Sequence, residues 1–149
     1  MSRGTNPDHD AHRRPDGASD EAVAAAGKMS EALETVERAR GHLYTFHQLI
    51  GHADAQLQDA ADLLDDAGHG GLAEAVRSDV VGRNVLYGRW TFQIVEEFDD
   101  GYFHTLRTAE ERVRHELTAG RRHVYESEMK ERERTEGSDG HERRPDDPV

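Results

Sequence analysis

The stretch that decides the fold is MSEALETVERARGHLYTFHQLIGHADAQLQDAADLLDDA, which spans residues 29–67. Its apolar residues recur in alternating steps of three and four, the spacing of a helix that packs lengthwise along another. This first seam comprises Met29, Ala32, Val36, Ala39, Leu43, Phe46, Ile50, Ala53, Leu57, Ala60 and Leu64. A second seam with this spacing comprises Val81, Val85, Gly88, Phe92, Val95, Asp99, Tyr102, Leu106, Ala109 and Val113. Together they predict an all-α fold built from long paired helices.

The two seams interlock when the second runs antiparallel to the first and the numbers of facing residues add up to about 138. Large residues then mostly meet small ones, as Ile50 meets Gly88, which close packing favours. This offset places the turn at residues 66–71, where three glycines in four residues supply the left-handed conformations of a reversal. The sequence therefore predicts a long antiparallel, coiled-coil-like helical hairpin, with a kink or slide near Gly82.

The ends of the predicted domain follow from capping and composition. Ser19, followed by two acidic residues, predicts the start of the first helix, which then runs to Asp66. Residues 1–18 and 135–149 are polar and show no periodicity, which predicts two disordered tails. The helical hairpin domain is therefore expected to occupy residues 19–134.

The second helix is expected to begin near Leu72, and its continuity is open. The heptad register passes unaltered from Val95 through Asp99 to Tyr102, which favours one continuous or merely kinked helix. The alternative is a break near Gly101, because two aspartates followed by a glycine are typical of a turn. Such a break would produce a three-helix bundle.

Composition excludes several classes of function. The chain is 34% hydrophobic and 34% charged, has no cysteine, and carries a net charge of −12. Thiolate chemistry is therefore impossible, and nucleic-acid binding is not expected because the phosphate backbone attracts basic surfaces. No apolar run reaches the ~20 residues of a membrane span. We expect a cytoplasmic protein without a membrane or nucleic-acid partner.

A second apolar stripe on the predicted second helix is the main functional feature of the sequence. It comprises Leu86, Tyr87, Trp90, Ile94 and Phe98. A two-helix hairpin cannot bury both this stripe and the seam, and an exposed patch of this kind marks an interface. We expect two hairpins to associate through it into a homodimeric four-helix bundle. The alternatives are a third helix of the same chain that covers the stripe, and a foreign protein that docks on Trp90.

Asp99 stands in the second seam where an apolar residue is expected. A buried carboxylate requires a partner, and Arg40 lies one position past the residue that faces it. The polar seam formed by Asp99 and Arg40 is interpreted as a contact that fixes the register of the two helices. A ligand-binding or proton-transferring group is the other interpretation.

The chain has ten histidines, and these raise the possibility of a metal site. Glu97 and His104 lie seven residues apart on the second helix, and with His42 they could supply carboxylate and imidazole ligands in a bundle core. However, the sequence contains no Glu-x-x-His motif of a di-iron bundle, no phosphate-binding loop and no nucleophile elbow. The sequence therefore predicts a non-enzymatic interaction or structural module without a cofactor, and a metal- or small-ligand-binding bundle is the alternative.

Overall fold

The computed structural model describes residues 11–142, and the regular elements in this range are helical. The predicted all-α class is confirmed. In chain order the elements are α1 (Asp20–Asp66), α2 (Gly70–Asp79), α3 (Thr91–Phe98), a π-helical segment (Asp99–Phe103), α4 (His104–Thr118) and α5 (Val124–Glu133). None of the helices in this part of the chain has the length and hydrophobicity that crossing a membrane requires.

Local sequence explains both ends of α1. The Ser19 hydroxyl oxygen accepts a hydrogen bond from the Ala22 backbone N–H at 3.1 Å, as an N-cap does. At the other end, Gly68 has a φ of +79°, a backbone conformation that favours glycine. The chain leaves α1 at Asp66 and enters α2 at Gly70, within the predicted turn.

The chain divides into two compact units. The first unit combines Met1–Glu34 with Leu106–Val149, and the second unit comprises Thr35–Thr105. Both α1 and α4 contribute residues to each unit.

In the second unit, polar contacts from the returning chain meet α1 in reverse order. Arg77 contacts Asp62, the Gly82 backbone N–H contacts Asp54, and Thr91 contacts His47. Farther along the chain, Arg40 donates hydrogen bonds to Asp99. This order is that of a segment that runs antiparallel to α1, and each pair of numbers adds up to a value near 138.

The predicted second helix is not continuous, which corrects the favoured interpretation. Helical structure ends at Asp79 and resumes at Thr91, and the eleven residues between form a loop. Gly82 and Gly88 have φ values of +71° and +69°, which an α-helix does not contain. The helix therefore ends close to the predicted kink at Gly82, and the seam residues Val81, Val85 and Gly88 lie in the loop.

The alternative prediction, a break near Gly101, is also wrong. Residues 99–103 form a π-helical turn that joins α3 directly to α4. A π turn accommodates one extra residue, which rotates the following side chains around the helix axis. Phe103 is consequently buried, whereas Tyr102, the predicted seam residue, is 63% exposed.

The inner face of α1 also differs from the predicted first seam. The seam positions Leu43, Ile50, Leu57 and others at this seven-residue spacing are half-buried as expected. Their companions are not Ala39 and Phe46 but the residues one position later, Arg40 and His47. Phe46 is 41% exposed. The polar side chains at the later positions form hydrogen bonds to the returning chain. The spacing of apolar residues alone does not reveal the stabilisation that such bonds provide.

The first unit has a small core formed by α1, α4 and α5. Val23, Ala26 and Val124 are buried in it. Gly27 allows α5 to approach, because a Cβ atom at this position would lie 3.1 Å from the Cβ atom of Tyr125. A positive φ at Ala119 and at Gly120 ends α4 before the chain turns into α5.

Residues 11–18 contain no helix, yet they make contacts that the prediction of a disordered tail did not include. Arg14 donates hydrogen bonds to both carboxylate oxygens of Glu128, at 2.6 and 2.9 Å. The Arg121 guanidinium donates to the Arg13 carbonyl oxygen at 2.8 Å. The tails predicted for residues 1–10 and 143–149 lie outside the described residues.

Candidate functional site

The loop between α2 and α3 presents large apolar side chains to solvent. Hydrogen bonds join the backbones of Leu86 and Arg89 in both directions, at 3.0 and 3.4 Å, and close a tight turn. Tyr87 and Gly88 occupy the tip of this turn, and the positive φ of Gly88 permits it. Tyr87 is 98% exposed. We define the loop surface as Leu86, Tyr87, Trp90 and Phe92.

Trp90 lies where the loop enters α3. Its backbone N–H donates to the Gln93 side-chain oxygen at 2.8 Å, which satisfies one of the free donors at the start of the helix. Its ring packs edge-on against Phe92, with ring centroids 5.9 Å apart. Trp90 and Leu86 are each 54% exposed. A half-exposed indole beside a second aromatic ring is typical of a protein-contact surface.

An ion pair connects the last part of the loop, just before α3, to the α3 helix. The Arg89 guanidinium donates to both carboxylate oxygens of Glu97, at 2.5 and 3.2 Å. This hydrogen bond lowers the pKa of Glu97 from its ordinary value, and the positive charge of Arg89 adds to the effect. Glu97 is therefore a carboxylate at neutral pH, and it forms an ion pair with an arginine instead of joining other side chains around a metal ion.

The five residues of the predicted outer stripe do not form one row along a helix. Leu86 and Tyr87 lie in the loop and Trp90 caps α3, so the expectation that they share a helix face is wrong. Ile94 and Phe98 lie on α3 and are half-buried. Phe98 stacks on Phe103 with ring centroids 5.8 Å apart. The stripe therefore separates into an exposed loop part and a helical part that contributes to packing.

The predicted polar pair is present in the second unit. Arg40 Nε donates to Asp99 Oδ1 at 2.6 Å and Arg40 Nη2 donates to Asp99 Oδ2 at 2.9 Å, a bidentate arrangement. The hydrogen bond from Arg40 to Asp99 raises the pKa of the arginine, which therefore stays a cation. The guanidinium carbon also lies 5.9 Å from the ring centroid of Tyr44.

Two further polar contacts continue this pattern, and sequence reasoning missed both. His47 Nδ1 lies 2.8 Å from Thr91 Oγ1, and Asp54 Oδ1 accepts from the Gly82 backbone N–H at 2.9 Å. Arg40, His47 and Asp54 are seven residues apart, so α1 uses one repeated position for all three contacts. The seven-residue repetition of polar residues was the available signal. These contacts fix where the loop begins and where α3 starts.

The predicted metal ligands are not brought together. Glu97 pairs with Arg89, while His104 and His42 are exposed residues on α4 and α1. Within residues 11–142, no three or more histidine, aspartate or glutamate side chains are grouped so that they could hold a metal ion. The geometry therefore gives no support to the metal-binding alternative.

The first unit contains a buried acidic residue that sequence reasoning did not single out. Glu110 is 6% exposed and accepts a hydrogen bond from the Ser30 hydroxyl at 3.0 Å. The half-buried Arg114 places its Nε 3.1 Å from the same carboxylate and forms an ion pair with it, without hydrogen-bond geometry. A cavity of about 10 Å³ adjoins Arg114 and Ser30, which is room for one water molecule. This arrangement stabilises packing and offers no space for a substrate.

Comparisons of this chain with known proteins found no match to a protein-family model, to a curated protein or to a solved structure.

Proposed function

We propose that this chain is a non-enzymatic protein-interaction module that self-associates through the loop surface of its second unit. The observation that carries the proposal is the tight turn at Leu86–Arg89, which holds Tyr87 at 98% exposure beside two half-exposed residues, Leu86 and Trp90. Holding an aromatic side chain in water costs free energy unless a partner covers it. Ordered backbone contacts on both sides of the turn preorganise it for binding.

A helical hairpin also requires a further layer to cover it. In the second unit, one segment packs against one side of α1, and Tyr44, Leu49 and Leu63 remain 45–67% exposed. A layer of two helices buries only one face of each, whereas four helices enclose a common core. Two copies that associate into a four-helix bundle therefore account for the exposed apolar residues of both the loop and α1.

The experiment that tests this function is light scattering of the full chain after size exclusion. We expect the wild-type protein to be a dimer, and Trp90→Glu to weaken the dimer by at least about thirtyfold, or ~2 kcal/mol, because a buried charge replaces a contact aromatic. Leu72→Glu is the matched control, since Leu72 is 58% exposed but lies in the first turn of α2, outside the loop surface.

Two outcomes would contradict the proposal. A wild-type protein that stays monomeric at all concentrations does not self-associate, and the loop surface would then be a docking site for a foreign protein. A Trp90→Glu variant that remains as dimeric as Leu72→Glu would show that the loop surface is not the contact. Circular dichroism checks that both variants keep the helical content of the wild type.

A further inference from the structure

A second surface, exposed at all its positions except the half-buried Ala53 and Ala60, runs along α1 in the second unit. It comprises Ala39, His42, Phe46, Leu49, Ala53, Gln56, Ala60 and Leu63, which we call the α1 stripe. Steps of three and four place these residues on one side of the helix, beside the face that contacts the returning chain. Phe46, Leu49 and Leu63 are 41%, 62% and 67% exposed. The stripe contains no charged residue over ~36 Å of helix.

We propose that the α1 stripe pairs with the same stripe of a second copy of this chain, with the two helices antiparallel. The inference rests on the proposed self-association and adds to the loop surface a second contact surface with a defined register. The stripe is self-complementary about its midpoint: Leu63 meets Ala39 of the partner subunit, and Leu49 meets Ala53 of the partner subunit. Each large side chain meets a smaller one, as close packing between helices requires. A surface that binds a foreign protein need not be complementary to a second, antiparallel copy of itself.

Charge at the edge of the stripe favours the same pairing. The residues along its outer edge are Arg38, Thr45, His52, Asp59 and Asp66, seven apart. An antiparallel pair places Arg38 beside Asp66 of the partner subunit at both ends, which is a favourable contact between opposite charges. A parallel pair would instead place Arg38 beside Leu43 of the partner subunit, where it meets no opposite charge. Charge complementarity thus favours the antiparallel direction.

The absence of cysteine from the chain allows a direct test of the register. Ala39→Cys and Leu63→Cys are purified as separate variants of the full chain, mixed, and oxidised. We expect a covalent dimer in the mixture at about tenfold or more the yield of either variant alone, because only the antiparallel pair brings the two cysteines together. In each unmixed variant the two cysteines of a dimer are ~36 Å apart.

The matched control places cysteines on the opposite side of α1, at positions that would lie at the same level of the antiparallel pair. A mixture of Gln48→Cys and Ala55→Cys has both thiols on exposed positions away from the stripe, and we expect no covalent dimer above background. Leu49→Asp provides an independent readout, since a carboxylate at the centre of the stripe should convert the dimer to a monomer. Its exposed position keeps the fold intact.

The outcomes separate this inference from the proposed function. A dimer that Trp90→Glu dissociates, but in which the cysteine mixture does not cross-link, overturns the α1 pairing and leaves the loop contact standing. Cross-linking in the mixture together with a Trp90→Glu variant that stays dimeric supports the α1 pairing and overturns the loop contact. Cross-linking of Ala39→Cys with itself indicates a parallel pair and overturns the inference, as does a monomeric wild type.

Discussion

At the scale of single residues, the ion pair between Arg40 and Asp99 is the contact whose energy is easiest to isolate. Both side chains are about one-third exposed and share two hydrogen bonds. We expect Arg40→Met and Asp99→Leu each to lower the free energy of unfolding, since each leaves a half-buried charge with fewer contacts. The decrease in the free energy of unfolding should be smaller for the double variant than the sum of the decreases for the two single variants. Urea unfolding would measure all three.

The ion pair between Arg89 and Glu97 is the control for this comparison of single and double variants. It has the same chemistry, but its side chains are 45% and 63% exposed, so solvent screens it more strongly. Its coupling energy should therefore be the smaller of the two. Strictly additive losses for Arg40→Met and Asp99→Leu would mean that the bidentate contact contributes nothing specific to stability.

The contact between Arg14 and Glu128 makes the first unit sensitive to acid. The hydrogen bond from Arg14 lowers the pKa of Glu128 below its ordinary value of 4.5, against a smaller opposing effect of burial. A carboxyl group whose pKa is lower in the folded protein stabilises the fold above its ordinary pKa, and this stability is lost as the pH falls through the lowered value. We expect Glu128→Gln to cost ~1 kcal/mol at neutral pH and progressively less below pH 4.5.

Chemical unfolding of wild type and Glu128→Gln across this pH range provides the measurement. Glu126→Gln is the control, because Glu126 lies on the same helix and its carboxylate oxygen is 4.0 Å from His123 Nδ1, farther than the 2.6 Å between Glu128 and Arg14. A difference between wild type and Glu128→Gln that stays constant down to acidic pH would mean that charge on Glu128 is not the source of the stability.

The polar seam illustrates what can be predicted at residue level. Asp99 was predictable because a charge at an apolar position of the heptad requires a partner, and Arg40 was the cation within reach. His47 and Asp54 were not, because they lie one position past the predicted seam and break no hydrophobic pattern. Their contacts depend on where Thr91 and the Gly82 backbone lie, which the loop decides and the sequence pattern does not.

At the scale of elements, the π-helical segment behaves as a one-residue insertion between α3 and α4. We expect deletion of Gly101 to convert Asp99–Phe103 into α-helix while both flanking helices keep their faces, because the extra residue is the one removed. The free energy of unfolding should change by less than ~1 kcal/mol. Urea unfolding, with Phe103 burial followed by aromatic circular dichroism, would measure this.

Deletion of Glu96 is the control, since it removes an exposed residue from regular α-helix in the same unit. That deletion rotates the first turns of α3 by ~100° and takes Thr91 and Val95 out of the core, so it should cost ~2 kcal/mol or more. Equal losses from the two deletions would show that the π segment holds no surplus residue.

The elements also show why the second half of the hairpin was harder to predict than the first. Val81 and Val85 have helical spacing, but valine suits extended backbone equally well. Only the positive φ values at Gly82 and Gly88 exclude helix there, and a glycine in a helical pattern signals a kink as readily as an end. Past Gly101 the predicted register failed only in part, and for a different reason. A π turn rotates the side chains that follow it without any change in the hydrophobic pattern, so some predicted seam residues are exposed while others stay half-buried.

At the scale of the whole molecule, net charge opposes self-association. Each copy carries a formal charge of −12, so bringing two copies together concentrates negative charge around an interface that we propose to be apolar. Salt shortens the distance over which this repulsion acts, from about 10 Å at 0.1 M to about 3 Å at 1 M. The free energy gained by burying apolar side chains is largely unaffected. The dimer should therefore tighten when the salt concentration rises.

We expect the dissociation constant of the full chain to fall by about threefold or more between about 0.05 and 0.5 M sodium chloride, as sedimentation equilibrium at neutral pH would measure. Lys28→Glu is a matched control, because it replaces a positive by a negative charge outside the α1 stripe and the loop surface, changes the net charge by −2, and should steepen the dependence. A dimer that weakens with salt would mean that attraction between opposite charges, such as Arg38 and Asp66, outweighs both the general repulsion and the apolar contact. The interface would then be ionic, and the Leu49→Asp and Trp90→Glu variants would have to be reinterpreted as charge effects.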